Sequence, residues 1–205
     1  MCYRTKLNSR IKEIEKTFNA PFIEPEAYTP QEEINAFDFS ATPVITDVNP
    51  GEIELFHWGL IPHWAKDDKI RKMTLNAKIE TAEEKPAFRN AVTNRCLIIA
   101  DGFYEWQWLD ARGKNKQKHL LEVQDQEIFA FAGIHSSWRN PDTDELINSY
   151  SILTTEANEL MSEIHNNKKR MPVILHKQDQ AKWISGTEIS RFSFPYEVPL
   201  KATKI

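Results

Sequence analysis

Cys96-Leu97-Ile98-Ile99-Ala100-Asp101-Gly102-Phe103-Tyr104-Glu105-Trp106-Gln107-Trp108 is the stretch on which the fold turns. Its first part is a continuous apolar run and its last part alternates aromatic with polar. Asp101-Gly102 between them is a turn, so the segment predicts two strands, 96–100 and 103–108. Downstream, similar patterning predicts strands over 119–124, 129–134 and 150–154, with Ala111-Arg112-Gly113 as a further turn. Upstream, strands are expected over 2–5, around 44–48 and, after the turn Asn49-Pro50-Gly51, over 52–60. Helices fall between and after the strands. One is capped by Ser9, with Ile11, Ile14 and Phe18 on one face; another runs from Pro86 to about residue 92 behind a Thr81 and Glu84 capping box. A third covers 157–165, with Leu160, Met161 and Ile164 turned to the core, and is followed by a strand over 171–175. A last helix near 178–185 ends at Gly186. The stretch 20–41, with Pro21, Pro25 and Pro30 among acids, reads as surface chain. This order implies a single α+β domain over 1–205, built on an antiparallel, barrel-like β-sheet core with flanking helices.

Composition narrows the function. The 205 residues are 40% hydrophobic and 27% charged, and a chain of that length buries roughly 70% of its unfolded surface without needing disulfides or structural metal. Two cysteines, Cys2 and Cys96, make neither a disulfide framework nor a zinc pattern, so a reducing, cytoplasmic setting is expected and no metal site. The six glycines form no phosphate loop or dinucleotide fingerprint, and no cofactor is expected. No apolar run approaches the roughly 18 residues of a membrane span. A net charge of −4 argues weakly against a large, nonspecific nucleic-acid surface and allows a short basic cleft.

Cys2 has special chemistry if Met1 is removed, because excision leaves a free α-amine and a thiol on adjacent carbons. The amine has a reference pKa near 8, so on the order of 10% is neutral and nucleophilic at neutral pH. It condenses with an aldehyde to an imine, and the thiol then closes a five-membered thiazolidine. On position alone the plainer reading, a small apolar residue opening a strand, is the better one.

Context changes that. The ordered blocks are Phe56-His57-Trp58-Gly59-Leu60-Ile61-Pro62-His63-Trp64-Ala65, then Asn76-Ala77-Lys78-Ile79-Glu80-Thr81, then Ala100 through Trp106, then His165 with Arg170-Met171-Pro172-Val173-Ile174-Leu175. Together with Cys2 they resemble the SOS response-associated peptidase family, whose members process abasic sites in single-stranded DNA; the resemblance runs from Cys2 to about Ile184. It implies that Cys2 forms the thiazolidine with the ring-opened sugar and that Asn76, Glu105 and His165 line the pocket. It also implies single-stranded DNA with abasic sites as the partner, and a nucleoid-associated place when bound. Physically, Glu105 in an aromatic strand is expected to have a raised pKa and to act as acid and base. His165 is expected to titrate near neutrality and move protons on the sugar, and Asn76 to anchor by hydrogen bonds. Each has a structural alternative: a wet strand face, a helix-dipole partner, a turn former.

Trp64 and Trp106 are candidate stacking platforms for bases. Arg4, Lys78 and Arg170 match basic positions of the family pattern as phosphate contacts, with Lys168 and Lys169 as additions. This chain departs from the pattern with Tyr3 where Gly is common, Lys78 where Arg is usual, a longer bridge over 166–169, and an altered Asn-x-x-Pro segment around 35–39. Two rival readings stand beside this one. The first is a cysteine or N-terminal-nucleophile hydrolase with His165 as base, and the second a noncatalytic single-strand binding module.

Overall fold

A computed structural model describes residues 2–205. The chain runs through β1 (Arg4–Leu7), α1 (Ile11–Phe18), β2 (Gln31–Asn35), β3 (Ala41–Thr46), β4 (Glu54–Trp58), β5 (Asn76–Lys78), β6 (Arg95–Ala100) and β7 (Gly102–Trp108). It continues through β8 (Lys116–Val123), β9 (Phe129–Arg139), β10 (Leu146–Glu156), α2 (Glu159–Ile164), β11 (Arg170–Pro172), β12 (Ile174–Leu175), α3 (Gln180–Ile184) and β13 (Leu200–Lys204). The strands expected over 129–134 and 150–154 extend into a longer hairpin. Their polar ends satisfy one another across the pair, as Ser137 Oγ does with Asn148 Oδ1 at 2.7 Å.

Pairing runs β10-β4-β3-β6-β9 and back to β10, so five strands close on themselves. The barrel is antiparallel except where β4 and β10 run parallel to complete it. A second sheet, β13-β8-β7-β1-β2, is antiparallel throughout. Every residue of β6 is buried, Arg95 included, which fits the apolar run over 96–100. Asp101, between β6 and β7, is where the chain leaves the barrel for the second sheet. Its buried carboxylate accepts hydrogen bonds from Asn8 N (2.7 Å), Ser9 N (2.9 Å) and Ser9 Oγ (2.9 Å).

Several expectations are corrected. Ser9 does not cap α1, because its hydroxyl is taken by Asp101; the helix starts after Arg10, whose N–H is accepted by Glu13 at 2.8 Å. The strand expected over 2–5 begins at Arg4, because the Cys2 carbonyl turns to Asn76 and the Tyr3 carbonyl to Ala36 N. No helix forms behind Pro86: short turns bury Phe88, Ala91 and Val92, and the Val92 carbonyl accepts from the Arg95 side chain at 3.0 Å instead of from a further helical N–H. The strand expected over 171–175 splits at Val173, which leaves β10 to reach β9. The helix expected over 157–165 is shorter, since Asn158 caps it by accepting from Met161 N at 2.9 Å. The proline-rich surface stretch contains β2, and β13 was not foreseen; both are polar edge strands without a core signature. Gly186 closes α3 with φ 85°, as expected of that cap. No helix among the described residues is long and apolar enough to cross a membrane.

Gly133 on β9 sits where a Cβ would come within 2.4 Å of Ile98 Cδ1 and 2.8 Å of Cys96 Sγ. Gly133→Ala therefore overpacks the barrel and should cost about 1–3 kcal/mol. Thermal melting should show this as a drop of about 2–4 °C per kcal/mol, and an unchanged midpoint would mean that the wall yields freely there.

Candidate active site

Cys2 is fully buried at the seam between the two sheets, just ahead of β1. Asn76, at the start of β5, which pairs in parallel with β10 of the barrel, donates through Nδ2 to the Cys2 carbonyl at 2.8 Å. The Cys2 thiol faces the Arg4 carbonyl at 3.7 Å. Asn76 Oδ1 is buried and has no hydrogen-bond partner among the described residues, so the amide keeps an acceptor in hand. Tyr3, in place of the common glycine, covers this end of the chain by packing on Phe37 with ring centroids 5.3 Å apart. Phe37 is held in turn by Asn35, whose Oδ1 accepts from Phe37 N at 3.3 Å. The altered segment around 35–39 thus makes a capped turn under Tyr3.

Glu105 is buried on β7, on the face opposite Tyr104 and Trp106. Burial raises its carboxyl to about 7, against a lowering by the Trp106 backbone hydrogen bond. Burial also pushes the Cys2 thiol well above its ordinary value, and the Glu105 charge adds to that, so the two groups share one electrostatic environment.

His165 caps the end of α2. Its Nδ1 lies 2.8 Å from the Arg170 carbonyl, and the next residue, Asn166, clasps β7 by exchanging hydrogen bonds with the Trp108 backbone at 3.1 and 2.9 Å. The histidine is therefore tied to the strand that carries Glu105. The expectation that it titrates near neutrality is corrected: burial first, with the Lys168 and Arg170 cations adding, lowers it to about 4 despite the Arg170 carbonyl. At neutral pH His165 is an uncharged imidazole.

The expected DNA contacts are spread more widely. Trp64 is 48% exposed in the loop after β4, and Lys78, Lys168 and Lys169 are exposed. Trp106 lies on the outer face of β7 with the Lys118 ammonium 5.6 Å from its ring, away from Glu105. Two arginines already hold acids: Arg4 pairs with Glu33, and Arg170 with Glu80 at 2.8 Å. Glu80 was not singled out from the sequence, although it shares the Asn76–Thr81 block with Asn76 and Lys78 and is the acid nearest to them in the chain.

The whole arrangement has relatives. Residues 1–200 match the family described as SOS response associated peptidase (SRAP). The chain is 38% identical over 187 residues to the abasic site processing protein YoqW of Bacillus subtilis (strain 168), covering 90% of this chain and 80% of that protein. It is 33% identical over 156 residues to the abasic site processing protein HMCES of Gallus gallus, covering 64% of this chain and 45% of the relative. A crystal structure of a protein from Bacteroides thetaiotaomicron superposes with a TM-score of 0.90 at 33% identity, covering all of this chain and 92% of the other.

The raised Glu105 carboxyl sets a pH signature. From its ordinary 4.5 to about 7 the folded state keeps a proton that the unfolded chain has lost, so this contribution to stability is full below 4.5 and is lost as pH rises through 7. In urea titrations, wild type minus Glu105→Gln should therefore decline across that interval and level off above it. A difference independent of pH would mean that Glu105 ionises as an ordinary carboxylate.

Proposed function

This chain belongs to the SOS response associated peptidase family, a family with members named for abasic site processing, and from that premise we propose that it captures abasic sites in single-stranded DNA covalently through Cys2. Removal of Met1 gives Cys2 its α-amine. The observation that carries the reading is the fixing of the Cys2 main chain by Asn76 within the field of a carboxyl poised near neutrality.

The chemistry balances with the groups present. The ring-opened abasic sugar offers an aldehyde at C1′, which the neutral amine attacks to give a carbinolamine. Glu105 in its acid form protonates the departing hydroxyl, water leaves, and the C=N bond of the imine forms. The Cys2 sulfur adds to the imine carbon, its proton passes to nitrogen, and a thiazolidine closes. The net reaction is aldehyde plus amine plus thiol giving thiazolidine plus water. His165, neutral, accepts the hydroxyl proton as the closed sugar opens, or the C2′ proton if the imine proceeds to strand scission. Asn76 holds the amine-bearing residue in place.

A cysteine hydrolase would need a thiolate beside an imidazolium. Burial moves Cys2 up and His165 down, so both rest neutral, which suits condensation rather than acyl transfer.

A denaturing gel with an abasic single-stranded oligonucleotide tests the proposal. Wild type and Cys96→Ala should give a covalent band, since Cys96 is buried in β6, and Cys2→Ala should give none. Protein that keeps Met1, or carries an acetylated Cys2 amine, retains the thiol but has an amide in place of the amine. It should not cross-link, and a native-rate band from either blocked form would end the thiazolidine mechanism.

The loop lysines give a separate test on undamaged single strands. Replacing Lys168 and Lys169 together by Ala should weaken binding and make its salt dependence shallower by about 0.7 per lost phosphate contact. An unchanged slope would return both to solvent.

A further inference from the structure

We propose that the trough between α1 and α3, on the outside of the barrel, is a docking site for a short acidic segment of another protein that carries one or two large apolar side chains. The inference goes beyond the proposed function and does not depend on the chemistry at Cys2.

Strand alternation makes the floor. Cys96 and Ile98 lie on the inner face with Gly133, where an added Cβ would meet both, so Leu97 between them points outward. Ile45 of β3 pairs with Leu97 and shares its face. α1 flanks this floor with Phe18, and α3 flanks it with Ala181 and Ile184, leaving a trough of about 770 Å³. On its other side α3 is anchored by Trp183, which is fully buried and donates through Nε1 to the Cys96 carbonyl at 3.0 Å. That anchor keeps α3 from rolling over the floor.

Three charged side chains reach the trough: Lys16 on α1, Lys177 ahead of α3, and Asp47 after β3. Both lysines are exposed, and neither forms an ion pair among the described residues. Nearby acids are engaged elsewhere, Glu13 with Arg10 at 3.3 Å and Asp179 with Lys182 at 2.7 Å. Asp47 lies 2.8 Å from His135 Nε2. Two cations are thus left unmatched beside an apolar floor, on a chain whose net charge is −4.

The charges are also ordered along the trough. Asp47 N donates to the Arg95 carbonyl at the start of β6, whereas Leu175, just before the turn that carries Lys177, pairs with Ala130, the partner of Ile99. Four residues of β6 separate these two levels, about 13 Å, which is the span of about four extended residues and more than one side chain covers. Asp47 repels an acid at its end and Lys177 attracts one at the other. The occupant therefore lies with its apolar residues over Ile45 and Leu97 and its acids toward Lys177. An apolar anchor seated in a preformed pocket supplies most of the affinity, and the lysines supply selection. A nucleic-acid strand fits less well, because its phosphates would cross the apolar floor and meet Asp47.

The test uses the full chain and a fluorescein-labelled synthetic peptide of aspartates followed by leucine and phenylalanine, read by fluorescence anisotropy. Binding should saturate with a Kd on the order of 10 μM. Lys16→Glu and Lys177→Glu should each weaken it about 5-fold, the scale of an exposed charge pair. Ala181→Trp, which fills the trough from an exposed position, should abolish it. If that variant does not fold, Ala181→Glu sets a repelling charge at the same place and should weaken binding as the lysine reversals do. A peptide with glycines in place of leucine and phenylalanine should bind at least about 10-fold more weakly. Equal binding of the glycine peptide would reduce the contact to charge alone, and unchanged binding by the Ala181 variants would put the peptide elsewhere; either result overturns the proposal. Sedimentation of the protein alone tests a second copy as the occupant, since the tip of the β9–β10 hairpin carries Asp142, Asp144 and an exposed Leu146. A concentration-dependent dimer that Ala181→Trp abolishes would overturn the assignment to another protein. Displacement of the peptide by an undamaged single-stranded oligonucleotide would make the trough a DNA surface and overturn it as well. Cross-linking to abasic DNA should be the same in these variants as in wild type, so failure of the Cys2 chemistry leaves the anisotropy result standing.

Discussion

The Asp101 carboxylate joins the two sheets, and the position of the site follows from it. The carboxylate is buried, and three donors from Asn8 and Ser9 converge on its Oδ2, while the Lys6 ammonium lies 3.4 Å from Oδ1. A hydrogen bond to a charged acceptor contributes about 1.5–3 kcal/mol, and removal of a buried acceptor leaves its donors unmet. These bonds fix the end of β1 against the strand that exits the barrel. Cys2 lies immediately before β1, so the register that Asp101 sets at one end of the strand also sets where residue 2 sits at the other. A closed barrel has no free edge of its own, and the second sheet covers Cys2 by being attached at this point.

Burial at that seam then sets the protonation of the site residues. It drives a thiol and a carboxyl up and an imidazole down, so the thiol and the imidazole rest uncharged near neutrality while the carboxyl is brought close to its own midpoint. Glu105 sits close to the balance point, which is where one group serves as acid in one step and as base in the next. An ion-paired nucleophile would call for charged neighbours that oppose desolvation. Here the largest charge effect on Cys2, that of Glu105, reinforces it.

The strands around Asp101-Gly102 were legible because the apolar run over 96–100 and the aromatic alternation over 103–108 flank a turn, and both segments fold as strands. The raised Glu105 carboxyl was legible for the same reason, since a glutamate flanked by aromatics in a strand has to face one side, and the side it faces is covered. Ser9 misled because a hydroxyl before an amphipathic run signals a cap, while its actual partner is 92 residues away. The turns behind Pro86 misled in a similar way: local capping chemistry was present, but the buried Arg95 side chain takes the carbonyl of Val92 and burial of Phe88 sets the path. The His165 shift was out of reach, because it depends on the loop over 166–169 folding back onto β7 through Asn166, a contact between residues 58 apart.

On the proposed function, the distribution of cations fits a protein that would hold its substrate by a bond more than by a field. Arg4 and Arg170, the two arginines at positions expected to meet phosphate, are each matched by a glutamate from a neighbouring element, and the chain as a whole carries −4. Electrostatic attraction to a polyanion grows with the number of phosphates neutralised, and so does retention on undamaged DNA. A covalent trap needs only a brief encounter at the right atom, and the aldehyde of a ring-opened sugar is absent from intact strands. On the proposed function, discrimination would come from the buried Cys2 and its neighbours, and pairing of the arginines would keep background binding low. A strongly basic cleft would raise occupancy everywhere and add nothing to the step that distinguishes a lesion from its surroundings.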